Sequence, residues 1–96
     1  MLISFTSSTA TADEAEQIEE FLSEFLPRMR KQDGVEGIFH YANSRTGRRT
    51  TVVLWRDEDA RRAYVNGDLI QEAIAFETAM GNTATREAFP VIIGLP

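Results

Sequence analysis

The chain contains no cysteine, which excludes disulfide bonds and metal sites built on thiolates. Its single histidine excludes a metal site made of several imidazoles. No segment approaches the roughly 20 consecutive apolar residues that a membrane-spanning helix needs. The first residues also lack the basic region with which a signal peptide begins. We therefore expect a cytoplasmic protein that does not associate with membranes.

Basic residues are also scarce, at 10 Lys and Arg against 15 Asp and Glu, for a net charge of −5. This balance argues against a nucleic-acid-binding protein, which needs a basic face to hold phosphates. The length of 96 residues limits the chain to one domain, which we expect to span residues 1–96. Since 43% of the residues are hydrophobic, a small core is possible.

The pattern of apolar residues and turn residues predicts the order β-α-β-β-α-β. The strands are expected at residues 2–7, 35–43, 49–56 and 87–94. The first helix should begin after Thr11, which has the spacing of a capping box with Glu14. Pro27 should kink or split this helix near Ser23, because proline removes one internal hydrogen bond.

The second helical region should begin after Asp57 and break at 66–67. It should restart after Asp68, as a second N-cap, and end at Gly81. In the hairpin loop that joins strands two and three, Gly47 is expected to adopt a positive φ. Pro90 lies inside the last predicted strand, which places that strand at an edge of the sheet.

Two helices and four strands in this order predict an α+β fold, a ferredoxin-like sandwich with an antiparallel sheet. Both helical regions then cover one face of the sheet. The other face also carries apolar residues, because neighbouring positions in three strands are apolar: Ile38 and Phe39, Val52 and Val53, Val91 and Ile92. A second copy of the chain could cover this face, which predicts a homodimer. The alternative is a monomer with one hydrated face.

RNA-recognition domains share this order of elements, but their third strand carries a basic-Gly-aromatic signature that stacks bases. The third strand here, residues 49–54, has no such pattern.

The sequence resembles the antibiotic biosynthesis monooxygenase (ABM) superfamily in three segments with matching order and spacing. These segments are Gly34-Val35-Glu36-Gly37, Leu54-Trp55-Arg56-Asp57-Glu58-Asp59-Ala60 and Tyr64-Val65-Asn66-Gly67-Asp68. The resemblance implies that two sheets pair as a dimeric α+β barrel and that each subunit has a pocket between its sheet and its helices. Many members are oxygenases of small molecules without metal or flavin, so it implies no cofactor. Others degrade haem, act as isomerases or have no known activity.

Two positions depart from the haem-degrading members. Those members carry a Trp where this chain has Tyr64, nine residues after Trp55. Ten residues further on they carry a haem-ligating His, where this chain has Ile74, which cannot ligate iron. The Asn of their first strand is also absent from residues 5–8. Haem degradation is therefore not expected.

Tyr64 and His40 are the candidate catalytic residues. A phenol beside a pocket can hydrogen-bond a substrate hydroxyl or oxyanion, and a lone imidazole can act as a general base near neutral pH. Each also has a structural interpretation: Tyr64 as a helix residue whose ring packs, and His40 as a hydrogen-bonded strand residue.

The candidate substrate-binding residues are four aromatic residues and one arginine, which could steady an anionic intermediate: Trp55, Phe76, Phe5, Phe89 and Arg86. Core packing for the aromatic residues and a solvated charge for Arg86 are the alternatives. Three more arginines, Arg45, Arg48 and Arg49, cluster at the hairpin. They could meet an acidic patch on a partner, such as the acid-rich first helix of another subunit, but a solvated loop is the simpler interpretation.

The resemblance and these candidate residues are compatible with three functions. The first is a cofactor-independent monooxygenase that acts on a small aromatic or phenolic molecule. The second is a non-catalytic homodimer that binds a small ligand or only a partner protein. The third is an isomerase or cyclase on the same scaffold.

Overall fold

Four antiparallel strands form one open sheet in the computed structural model, which describes residues 1–95. The strands are β1 (Leu2–Thr9), β2 (Val35–Ala42), β3 (Arg48–Trp55) and β4 (Thr85–Pro90), in the order β2-β3-β1-β4. The edge strands are therefore β2 and β4, and the expected edge position of the strand that contains Pro90 is confirmed.

Three helices connect these strands: α1 (Ala12–Arg30), α2 (Glu58–Val65) and α3 (Leu69–Met80). The predicted α+β, ferredoxin-like order is confirmed, with the second helical region divided into α2 and α3. Within residues 1–95, no helix is long and apolar enough to cross a membrane.

The beginning of α1 has the predicted capping box. Thr11 Oγ1 accepts a hydrogen bond from the Glu14 amide at 3.3 Å, and Glu14 Oε1 accepts one from the Thr11 amide at 2.9 Å. Of the two predicted effects of Pro27, a split near Ser23 is wrong, because α1 continues through Pro27 to Arg30, and a kink there stays a prediction. Pro27 removes only the hydrogen bond to the Ser23 carbonyl, and the buried stripe of α1 holds the helix on both sides of it.

Asp57 caps α2 as predicted, since its Oδ1 accepts a hydrogen bond from the Ala60 amide at 2.9 Å. Asp68 is the N-cap residue of α3, as predicted, but its side chain makes no cap hydrogen bond. Gly47 has a φ of 75°, as the hairpin prediction required.

The last strand lies earlier in the chain than predicted. It covers Thr85–Pro90 instead of residues 87–94, so Val91 and Ile92 are not sheet residues. The physical reason is the length of its partner. Leu2, the first residue of β1, pairs with Pro90, and beyond it a single backbone hydrogen bond joins Val91 to Met1.

The core lies between the helices and one face of the sheet. Strand alternation directs Val53 and Trp55 towards the helices, where they are 4% and 1% exposed. Val52 and Leu54 point to the opposite face, which we call the outer face. The exposed aromatic residues Phe39, Tyr41 and Phe89 also lie on this outer face.

Candidate functional site

A cavity of about 370 Å³ lies between the sheet and the helices. One side is formed by apolar residues of α1 and α3, and the other side by residues of all four strands. The helical residues include Phe21, Phe25, Leu26, Phe76 and Met80. This size and this mainly apolar lining are typical of a site for a small organic molecule.

The sheet side of the cavity changes from apolar to polar along the strands. At one end, Leu2 pairs with Trp55, and both are buried. At the other end, a polar row crosses the whole sheet, because His40 pairs with Thr51, Thr51 with Thr6, and Thr6 with Arg86. A ligand in the cavity would therefore have polar partners along one end and apolar contacts along the rest.

The apolar part of the cavity is formed largely by aromatic rings. The ring of Phe21 stacks on Phe76 with centroids 4.2 Å apart and on Phe25 with centroids 5.0 Å apart. Trp55 is held in the sheet by a hydrogen bond of 2.8 Å from its Nε1 to Ser4 Oγ. Flat rings on both sides suit a planar aromatic ligand.

Tyr64 lies on α2 beside Trp55, with ring centroids 5.5 Å apart. Burial raises the pKa of its phenol to about 12, with a smaller opposing effect of Arg86 and a smaller supporting effect of Glu77. The hydroxyl therefore keeps its proton near neutral pH. Tyr64 can donate a hydrogen bond to a ligand oxygen, but it is a poor base.

His40 uses both ring nitrogens. Its Nδ1 lies 2.9 Å from Thr51 Oγ1, and its Nε2 lies 3.4 Å from a terminal nitrogen of Arg49. Because an arginine only donates, Nε2 is the acceptor and Nδ1 carries the proton in the neutral ring. Burial, followed by the charge of Arg49, lowers the His40 pKa, while Glu19 opposes this shift. His40 is therefore an unprotonated imidazole near neutral pH.

Two arginines of the sheet reach the cavity. Arg86 makes two hydrogen bonds to the carboxylate of Glu77, which also lines the cavity. Arg49 makes one hydrogen bond to Glu19, at 3.2 Å. Charges thus lie at two separate places, with Arg86 and Glu77 acting on Tyr64, and Arg49 and Glu19 acting on His40.

The structure places most of the sequence-derived candidates around this one cavity. Tyr64, His40, Trp55, Phe76 and Arg86 all line it.

Phe5 and Phe89 have a different position. Phe5 is part of β1 where that strand borders the cavity, but strand alternation directs its ring to the outer face. There it packs against Phe89, with centroids 6.3 Å apart. Phe89 does not line the cavity and is 48% exposed. The structure therefore does not bring Phe89 to the site that the other candidates share.

Sequence reasoning missed Phe21, Thr51 and Arg49, which also line the cavity. Arg49 was assigned to a solvated loop, although its side chain is only 13% exposed. The signal was available in the alternation of β3, since Arg49, Thr51, Val53 and Trp55 all have the same parity.

Metal ligands are few in this part of the molecule. Among residues 1–95, no three His, Asp or Glu side chains are grouped so that they could hold a metal ion.

Comparison with known proteins gives similarity at the level of structure only. No protein-family model matches the chain, and no curated protein matches it. A structure from Deinococcus radiodurans assigned to the antibiotic biosynthesis monooxygenases superimposes with a TM-score of 0.89, at 17% identity over 100% of this chain and 97% of that chain.

Two further solved structures are similar. A variant of SnoaB, a cofactor-independent oxygenase from Streptomyces nogalater, has a TM-score of 0.78, at 20% identity over 99% of this chain and 96% of that chain. A variant of MhuD with two manganese protoporphyrin IX molecules bound per active site has a TM-score of 0.75, at 18% identity over 100% of this chain and 99% of that chain. At these identities the similarity shows that the chain has the fold of the ABM structures.

Proposed function

We propose that the chain is a cofactor-independent monooxygenase that acts on a small aromatic or phenolic molecule. The observation that carries this proposal is the cavity of about 370 Å³, with stacked aromatic rings, His40 in the polar row and Tyr64 beside Trp55. The similarity to SnoaB, a cofactor-independent oxygenase, supports the same assignment.

The proposed reaction oxidises an acidic CH₂ group, whose anion is delocalised onto the oxygen of a phenol or enol. His40, which is unprotonated near neutral pH, accepts the proton from the substrate. Its Nε2 makes only the long 3.4 Å contact to Arg49, so its lone pair becomes available when a ligand occupies that arginine. Tyr64 keeps its proton and donates a hydrogen bond to a second oxygen of the substrate, which stabilises the delocalised anion.

The substrate anion then reacts with O₂ at carbon. The resulting peroxide loses water, so that CH₂ and O₂ become C=O and H₂O. The protein contributes a base, a hydrogen-bond donor and a cavity that excludes water.

We also propose that the working form is a homodimer, paired through the outer face as an α+β barrel. Phe39, Tyr41 and Phe89 on this face are 60%, 53% and 48% exposed. Beyond β4, Ile92, Ile93 and Leu95 add further exposed apolar surface. Exposed patches of this kind mark association surfaces.

A ligand-binding role without catalysis is the main alternative. It would use the same cavity but not the proton-transfer groups, while an isomerase or cyclase would use those groups without O₂. Porphyrin binding, as in MhuD, finds less support here. The family resemblance implies that Ile74 stands where haem-degrading members carry their haem-ligating histidine, and Ile74 does not line the cavity.

Oxygen uptake by the purified, metal-stripped protein with an anthrone separates these functions. The proposal expects uptake above autoxidation that saturates with substrate and produces the quinone. Conversion of a substrate under anaerobic conditions would instead indicate an isomerase. Binding without conversion across a panel of anthrones and naphthols would indicate a ligand-binding dimer.

A further inference from the structure

The charge of Arg49 faces the cavity, while its counter-charge does not. The Arg49 side chain is 13% exposed and lines the cavity. Its partner Glu19 lies on α1 with 63% of its side chain exposed, and it is not among the residues that line the cavity. A ligand in the cavity therefore meets a partly buried guanidinium whose carboxylate lies on the solvent side.

The Arg49–Glu19 ion pair also has fewer hydrogen bonds than the other ion pairs that reach the cavity. Arg86 and Arg61 each hold their carboxylate, Glu77 and Glu58, with two hydrogen bonds. Arg49 gives Glu19 a single hydrogen bond of 3.2 Å. An ion pair with one exposed, singly bonded partner contributes little stability, so a ligand anion can displace Glu19.

Further hydrogen-bonding groups lie around the guanidinium. Arg49 pairs with Ser8 across β1 and β3, and both residues line the cavity. Thr51 and His40 follow on the same face of the sheet, with neutral side chains. A planar guanidinium binds a carboxylate or another oxyanion through paired hydrogen bonds, and neighbouring hydroxyls add donors.

We propose that Arg49 is an anion-binding residue and that the cavity selects aromatic molecules with an acidic oxygen, bound as their anions, with Glu19 as a displaceable counter-ion. This inference rests on the proposed function in that the cavity must hold an aromatic ligand, and it names the class of that ligand. In the proposed reaction, Arg49 stabilises the oxyanion that is left when the neighbouring His40 accepts the proton of the acidic oxygen.

Calorimetric titration with two probes of the same shape tests the inference without turnover. The probes are 2-naphthoate, which carries the acidic oxygen, and 2-naphthamide, which is neutral. We expect the protein to bind naphthoate at least about tenfold more tightly, because a charge-assisted pair of hydrogen bonds is replaced by neutral ones.

Three variants make the test specific to Arg49. Arg49→Gln should remove the preference and leave naphthamide binding unchanged, which also shows that the fold is intact. Glu19→Gln should tighten naphthoate binding, because it removes the competing carboxylate. Arg48→Gln is the matched control, since Arg48 is the adjacent arginine with the opposite parity in β3 and an exposed side chain.

Several outcomes would overturn the inference. For the wild-type protein, these are equal binding of the two probes and no binding of either probe. For the variants, they are an equal weakening of both probes in Arg49→Gln, weaker naphthoate binding in Glu19→Gln, and a loss of the naphthoate preference in Arg48→Gln. The two proposals fail separately. An anion preference without oxygen uptake would refute the oxygenase only, and oxygen uptake without an anion preference would refute the role of Arg49 only.

Discussion

Replacement of Tyr64 by phenylalanine removes one hydroxyl and keeps the aromatic ring. The ring packs on Trp55 with centroids 5.5 Å apart, and phenylalanine preserves that contact. Among residues 1–95, no side chain hydrogen-bonds the Tyr64 hydroxyl. Because the substitution opens no cavity and leaves no partner unpaired, the free energy of unfolding should change by no more than about 0.5 kcal/mol.

The effect on turnover should be much larger. A hydrogen bond to a charged group contributes about 1.5–3 kcal/mol. Since about 1.36 kcal/mol corresponds to a tenfold change in rate, kcat should fall by roughly 10- to 150-fold. Because the Tyr64 pKa is about 12, the phenol stays protonated near neutral pH, and the loss should be the same at each pH tested there.

Initial rates of oxygen uptake with an anthrone, corrected for autoxidation, measure this loss. Tyr41→Phe is the matched control, because Tyr41 is the other tyrosine and lies on the outer face, 53% exposed. A loss below about threefold in Tyr64→Phe would refute the assignment of Tyr64 as the donor to the substrate anion. A similar loss in Tyr41→Phe would show that the effect is not specific to the cavity.

Three further predictions concern the sheet. Thr50→Val should destabilise the protein by about 1–3 kcal/mol in urea unfolding, because it leaves the buried Ser7 hydroxyl without its 3.0 Å partner. Adding Ser7→Ala should recover most of that stability, and a double variant whose loss is the sum of the two single losses would contradict this. Because the His40 pKa is lowered on folding, the unfolded chain binds more protons than the folded chain as the pH falls below 6.5, and stability should decrease there until the folded ring is also protonated. The urea midpoint of His40→Gln should depend less on pH, and an unchanged pH dependence would exclude His40 as its source. Phe39→Asp places a charge in the proposed interface and should lower the solution mass from twice 10.8 kDa to 10.8 kDa, whereas Ile74→Asp on α3 should not. A solution mass of 10.8 kDa for the wild-type protein would refute the dimer.

The elements that were predicted well are those whose signals are local. The Thr11–Glu14 capping box and the positive φ of Gly47 involve residues within a few positions of one another, and the structure shows both. The predicted end of the last strand was wrong for the opposite reason. Its length depends on β1, which begins almost ninety residues earlier and runs out at Leu2, opposite Pro90.

The candidate site also has a part that the sequence predicted and a part that it could not predict. The aromatic and polar residue types of the cavity were identified, and Tyr64, His40, Trp55, Phe76 and Arg86 do share one cavity. The sequence could not show that Arg86 is occupied by Glu77, because that pair depends on how α3 packs over β4. Nor could it show that Phe89 lies on the outer face, because the predicted strand had no partner to set its register.

The sequence alone determined the order of strands and helices, the apolar stripes that hold them together and the alternation that places neighbouring strand residues on opposite faces. These follow from covalent geometry and from neighbours in the chain. Only the tertiary structure decided which charges meet. Arg49 became a partly buried cation that faces a cavity and meets Glu19 of α1, which lies thirty residues away in the chain. Contacts between distant segments depend on the packing of the whole domain, and the chemistry of the cavity depends on those contacts.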